Sequence, residues 1–241
     1  MSPLYLYAVL GAVPSADAGA GLAGEPLRLL QCGEVLAIAG EMSEAPSIAP
    51  DALRAHDAVV RRLAESTDAV LPARFGMIAR DEVVLCSRLE HAASSLREAL
   101  ARVAGREQMI LRVFRDPAPS AGAPGTSASQ DAPAPSADVA ASATGGPGAR
   151  YLAERASARR AAAEVPELYA LRPVLDRFVT AERVDRHDAP PLVASVYHLL
   201  ARGEAAAYTE AVEHAAADLH DVRITVSGPW VPYAFAPDAL E

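Results

Sequence analysis

Residues 116–148 limit what this chain can fold into more than any other feature. The stretch is almost wholly Ala, Pro, Ser, Gly, Thr, Asp and Val, and it holds no aromatic side chain. Such a segment cannot bury enough apolar surface to offset the entropy of ordering it, so it reads as a flexible linker. The folded mass then falls into two halves, residues 1–115 and 149–241. The 241 residues suffice for two small domains, and a hydrophobic content of 51% is ample for their cores. Only 5% of residues are aromatic, so alanine supplies much of that content and bulky anchors are few.

The first half opens on Leu4-Tyr5-Leu6-Tyr7-Ala8-Val9-Leu10, a continuous apolar run of the kind a buried strand shows. Residues 27–31 and 35–39 read as a hairpin around Cys32-Gly33-Glu34. Asp51 is placed to cap a helix over 52–66, and Asp81 to open another that runs to Val103 and ends at Gly105. Between them, residues 70–76 are strand-like but carry Pro72 and Arg74, so the proline confines the run to an edge or a strand end. Residues 108–114 give a further strand. The order β, β-hairpin, α, β, α, β predicts an α+β module of ferredoxin-like type, two helices covering one face of a mostly antiparallel sheet.

After the linker, residues 150–186 predict a long helical stretch broken at Pro166 and Pro173. A strand over 192–200, a short helix carrying Tyr208, Val212 and Leu219, and an alternating strand over 222–226 follow. Residues 149–241 therefore read as a helix-rich α+β domain. Its last strand runs into Gly228-Pro229-Trp230-Val231-Pro232-Tyr233-Ala234-Phe235, which holds the sole tryptophan of the chain. Placed there, the segment reads as a closing strap whose aromatic rings restore bulk to an alanine-rich core.

Several function classes are disfavoured. A net charge of −9 argues against nucleic acid and against an anionic membrane surface. All 22 basic residues are arginine, which reflects biased codon usage rather than a site. Cys32 and Cys86 are too few and too far apart in sequence for a metal cluster or a disulfide framework, so a reducing cytoplasm is expected. The N-terminus lacks signal-peptide character, and no apolar run is long enough to span a bilayer.

Gly19-Ala20-Gly21-Leu22-Ala23-Gly24 fits a GxGxxG spacing but leads into Glu25-Pro26 rather than a helix, so no helix N-terminus meets a pyrophosphate. The histidines lack metal-ligand spacing, and Ser94-Ser95 and Ser227-Gly228 lack a nucleophile elbow. Arg61-Arg62 and Arg159-Arg160 read as solvated helix faces. His56 is expected to be half-buried with one satisfied nitrogen, and Arg74 to find a structural partner. No catalytic, cofactor-binding or metal-binding residue is nominated.

Three stretches in this order, Leu4-Tyr5-Leu6-Tyr7, the His56 helix followed by Leu71-Pro72-Ala73-Arg74-Phe75-Gly76, and Gly228-Pro229-Trp230-Val231-Pro232-Tyr233-Ala234-Phe235, resemble the gas vesicle protein GvpF/GvpL family. The resemblance implies a cytoplasmic, gas-vesicle-associated accessory or minor structural protein without catalysis or cofactor. It would contact the vesicle shell protein and other accessory proteins. The motif residues it points to, for structure or partner contact, are His56, Leu71, Pro72, Arg74, Phe75, Gly76, Gly228, Pro229, Trp230, Pro232, Tyr233 and Phe235. The long linker, and Val231 and Ala234 in the terminal motif, depart from the family pattern. The rival reading is a small-molecule-binding regulatory module of ferredoxin-like type.

Overall fold

A computed structural model of the chain describes residues 2–115, 165–220 and 222–240. The apolar opening run forms β1 (Leu4–Leu10), all seven residues of which are buried. β3 (Val35–Glu41) pairs on one side of it, and β2 (Leu27–Cys32) lies outside β3. On its other side β1 pairs with the short strands β4 (Val70–Pro72) and β5 (Ile78–Ala79), and every pairing is antiparallel. Pro72 is thus the last residue of an edge strand, where its missing N–H leaves no ladder bond unmade.

A register slip in β1 explains how it serves two cores. Leu6 stands opposite Ala39 and Ala8 opposite Ile38, so Tyr7 is an extra, bulged residue. The bulge puts Tyr5, Tyr7, Ala8 and Leu10 in one cluster with Val59, Val60 and Leu63 of α1 (Pro50–Ser66). Leu4, Leu6 and Val9 join the opposite cluster, with Leu85 and Leu89 of α2 (Glu82–His91) and Leu96 and Val103 of α3 (Ala93–Val103). Helices therefore cover both faces of the first sheet.

The second sheet has the order β7-β8-β6-β9, again antiparallel throughout, with β6 Arg106–Phe114, β7 Ala181–Arg186, β8 Leu192–Ala201 and β9 Arg223–Trp230. Read from the β9 edge and counted within this sheet, the strands stand fourth, first, third, second, which is the order of a ferredoxin-like unit. A 3-10 turn (Pro166–Leu171), α4 (Arg172–Leu175) and α5 (Ala205–Ala216) pack on one face over Met109, Leu111, Val113, Val196 and Leu200.

The architecture is mixed α and β, as expected, but several elements differ. The helices of the first sheet lie on two faces rather than one, and β6, read as the last strand of the first half, pairs with β8 and β9. Residues 181–186, expected to be helical, form β7 because pairing along β8 outweighs the helix propensity of Ala181-Glu182-Arg183. The expected helix from Asp81 to Val103 is two helices meeting at Ala92 (φ −96°, ψ 5°), although Asp81 does cap the first by accepting from Val84 N–H. At the start of α1, Ala49 is the capping position and Pro50 the first residue, while Asp51 instead pairs with Arg54.

Cys32 and Cys86 form a disulfide with Cα atoms 4.7 Å apart, despite a sequence separation of 54. The end of β2 and the middle of α2 meet in the fold, which linear spacing does not reveal; the bridge corrects the expectation of unpaired cysteines and removes the ground they gave for a reducing compartment. The expected linker 116–148 and the part of the expected helical stretch before residue 165 lie outside the described residues.

Candidate functional site

Three separate stretches of sequence converge on His56. α1 turns this side chain inward with Val59, Val60 and Leu63, and its exposure is 3%. Nε2–H donates to the Ala73 carbonyl (3.3 Å), which can only accept. Nδ1 is then the acceptor, and it receives the Tyr5 hydroxyl proton (2.9 Å). The Tyr5 oxygen accepts in turn from Gly76 N–H (3.1 Å). At Gly76 φ is +91°, a conformation glycine adopts without strain. The chain of bonds Gly76, Tyr5, His56, Ala73 ties the turn after β4 to β1 and α1 with neither ring nitrogen free.

Aromatic rings enclose the imidazole. Tyr7 stacks on it at 5.5 Å and 19°, while Tyr5 and Phe75 each present an edge at 5.7 Å. Burial holds the His56 pKa below its ordinary value, against the bond to Ala73 and the charge of Asp57, so the ring is neutral at neutral pH. Burial likewise raises the hydroxyl pKa of Tyr5 and of Tyr7, whose oxygen donates to Glu25 and accepts from Leu22 N–H. A sealed, neutral, doubly bonded histidine has no free atom for a metal or a substrate. It is a latch, more completely buried and bonded than its half-apolar helix face suggests.

The terminal motif fastens to the same helix. Gly228-Pro229-Trp230 completes β9 as a bulge on an edge strand, with Ser227 opposite Ile110 and Trp230 opposite Gln108. Gly228 (φ +138°) is obligatory there, since a Cβ would stand 2.6 Å from Met109 Sδ and 2.9 Å from the Gln108 carbonyl. Arg61 lies over the Trp230 ring at 4.8 Å and bonds Asp57 (2.7 Å), and Asp57 also accepts the Tyr233 hydroxyl. Val231 joins the α1-side cluster, whereas Phe235 and Leu240 join the cluster under α2 and α3. Gln108 Oε1 accepts from Ala234 N–H (2.9 Å), and the Leu240 carbonyl accepts from Arg74 N–H (2.7 Å). Residues 231–240 therefore cross the β4 edge and join the two sheets.

The motif residues thus sort by environment. Leu71 and Pro72 are buried in β4 beside β1; Phe75, Gly76, Tyr233 and Phe235 serve the latch and the strap; Pro232 is buried, Trp230 half-buried and Pro229 exposed. Arg74 is the exception. Its side chain is exposed and has no hydrogen bond or ion pair among the described residues, contrary to the expected structural pairing. Arg61 and Arg62, expected on a solvated face, are engaged: Arg62 donates to the Ala18 and Ala20 carbonyls, holding the loop that bears the GxGxxG spacing. Arg159 and Arg160 lie outside the described residues.

A second polar cluster has no motif to announce it. Arg172 forks onto Glu182 (2.7 and 3.1 Å), His198 Nε2–H donates to Glu182 (2.8 Å), and Tyr208 donates to His198 Nδ1 (2.6 Å). Burial acts to raise the Glu182 pKa, but the bonds from His198 and Arg172 prevail and hold it at about 2. Tyr208 and His198 are both 0% exposed, so the network pins α4, β7, β8 and α5 around them, while Glu182 and Arg172 reach the surface. A histidine inside an otherwise apolar strand was the available sequence signal. Among the described residues there is no metal-binding group of acidic, histidine or cysteine side chains, and no helix is long and apolar enough to cross a membrane.

Residues 3–237 match the family model described as gas vesicle synthesis protein GvpL/GvpF. The chain is 31% identical over 269 aligned positions to gas vesicle protein L of Streptomyces sp. (strain CB03234), covering 98% of this chain and 94% of that one. Its fold is similar to the crystal structure of GvpF from Anabaena sp. PCC7120 (TM-score 0.67, 15% identity, 98% and 97% of the two chains). It is equally similar to GvpF from Microcystis aeruginosa (TM-score 0.68, 15% identity, 98% and 100%).

Proposed function

This chain belongs to the gas vesicle GvpL/GvpF family, and on that premise we propose that it supports vesicle assembly through non-catalytic contacts with the shell protein and other gas vesicle accessory proteins, in the cytoplasm. What carries the reading is the state of the motif side chains. His56, Tyr5, Phe75, Gly76 and Tyr233 are engaged with one another and with the backbone, so the motifs hold a shape and leave no reactive group exposed. A rigid body of two joined sheets suits a holder better than a catalyst.

The physical need for a holder is plain. A shell protein that is apolar on one side aggregates unless its exposed edges are covered until it is incorporated. Arg74, presented on a turn fixed by three backbone contacts yet with no side-chain partner among the described residues, is the motif residue we assign to partner contact. The test is co-purification of the shell protein with the wild type and with Arg74→Ala and Trp230→Ala. Loss of the shell protein with Arg74→Ala at an unchanged melting temperature supports the assignment. Normal buoyant vesicles in a deletion strain that has no related paralogue would overturn the assembly reading itself.

A further inference from the structure

The second sheet carries its helices on one face, and strand register gives the make-up of the other. Met109, Leu111 and Val113 of β6 face the helices, so Ile110 and Arg112 point away. Tyr197 and Arg183 stand in the row of Ile110, and Asp185 in the row of Arg112. At the far end Arg223 stands beside Phe114 and lies over its ring at 4.1 Å. The strand positions of this face thus hold Arg112, Arg183 and Arg223 and a single carboxylate, Asp185, which pairs with Arg183 (3.8 Å); Arg183 also donates to the Ala234 carbonyl (2.9 Å), so Arg112 and Arg223 carry the uncompensated charge. Arg112 is exposed and has no ion pair among the described residues.

Toward the strap the face sinks into a cavity of about 420 Å³ walled by Ile110, Tyr197, Trp230 and Tyr233, with Gln108 and the Arg183–Asp185 pair at its polar side. A recess with aromatic walls on a face that carries uncompensated arginines is an arrangement that holds an anchor side chain flanked by carboxylates. We propose that this face docks an acidic polypeptide segment, its apolar or aromatic anchor in the cavity and its carboxylates on Arg112 and its arginine neighbours. The inference does not rest on the assembly reading. A phosphate backbone fits less well, because Asp185 sits amid the arginines and every nucleotide carries a charge, whereas a peptide can set a neutral residue there.

Trp230 lines the cavity and is the sole tryptophan, so its emission reports occupancy directly. Full-length protein is titrated with a twelve-residue capped peptide of alternating Glu and Ser around a central Phe-Leu pair. We expect a saturable change with Kd below about 1 mM, weakened by salt. The same peptide with Gln for Glu should bind at least about fivefold more weakly, and Arg112→Glu should weaken the acidic peptide by about tenfold. Arg112→Gln, with an intermediate loss, replaces the charge reversal if that variant does not fold. The proposal is overturned by the absence of saturation, by equal binding of the Gln peptide, or by unchanged affinity in the Arg112 variants. Tighter binding of a single-stranded RNA twelve-mer overturns it in favour of nucleic acid.

Discussion

Acidification should loosen this protein through His56. Protonating Nδ1 would turn an acceptor into a donor aimed at the Tyr5 hydroxyl, whose oxygen already receives Gly76 N–H; the hydroxyl proton would then have no acceptor. The sign follows from linkage. The folded pKa is held below the ordinary 6.5, so near that pH the unfolded chain binds more protons than the folded one. His56 stability is therefore complete above about pH 6.5 and is lost as pH falls below it. The loss between pH 7.5 and 5.5 is bounded at about 1.4 kcal/mol, the limit for a ring that stays neutral in the folded protein. For a urea dependence of about 2 kcal/mol per molar this is a midpoint shift of roughly 0.7 M. Urea unfolding followed by Trp230 emission at pH 7.5, 6.5 and 5.5 measures it. His56→Phe keeps the ring packing but leaves the Ala73 carbonyl unpaired, so it should be less stable at pH 7.5 by about 1–3 kcal/mol. Its midpoint should nevertheless move less with pH than that of the wild type. A wild-type midpoint that does not move with pH, or equal shifts in both proteins, would refute the latch.

Further consequences follow from the other contacts. Glu182, at about 2 when folded against 4.5 as its ordinary value, contributes stability present above 4.5 and lost as pH falls toward 2; Glu182→Gln should flatten the stability profile in that lower window. Gly228→Ala combines a positive φ with a Cβ placed 2.6 Å from Met109 Sδ, and should lower stability by about 2 kcal/mol or more by urea titration. Reducing the Cys32–Cys86 bridge frees a loop of 54 residues in the unfolded chain, and the loop-entropy model gives a loss of about 4 kcal/mol. Thermal unfolding with and without reductant tests this, and Cys86→Ser should match the reduced protein.

Much of the first sheet was legible because its signals are local. Leu4–Leu10 is a continuous apolar run of the kind a buried strand shows, and Gly33 sits where the hairpin must turn. Pro72 announced an edge. The hidden features are those decided by partners far along the chain. Alternation along Met109-Ile110-Leu111-Arg112-Val113 says that one face is buried but not which sheet buries it. Ala181–Arg186 has the composition of a helix and becomes a strand because β8 offers an unpaired edge. The His56 latch joins residues 51 positions apart, and the cysteine bridge 54. Of the motif residues, Trp230 could be placed in a strap from its setting after a strand. Arg74 could not be told from a paired arginine, since exposure depends on where the strap ends.

The path of β9 into residues 231–240 bears on the order in which the protein is made. The first sheet is translated first, yet Val231, Phe235 and Leu240 complete the clusters on both its faces. Until residues 231–240 have been made, the β4 edge and the apolar residues beneath α3 stay open to water and to other chains. A domain that ordinarily folds as it leaves the ribosome must here wait for a segment synthesised more than a hundred residues later. Truncation just after Trp230 would therefore strike the half of the molecule synthesised earliest, and its mark would be aggregation of nascent chains rather than loss of the second sheet.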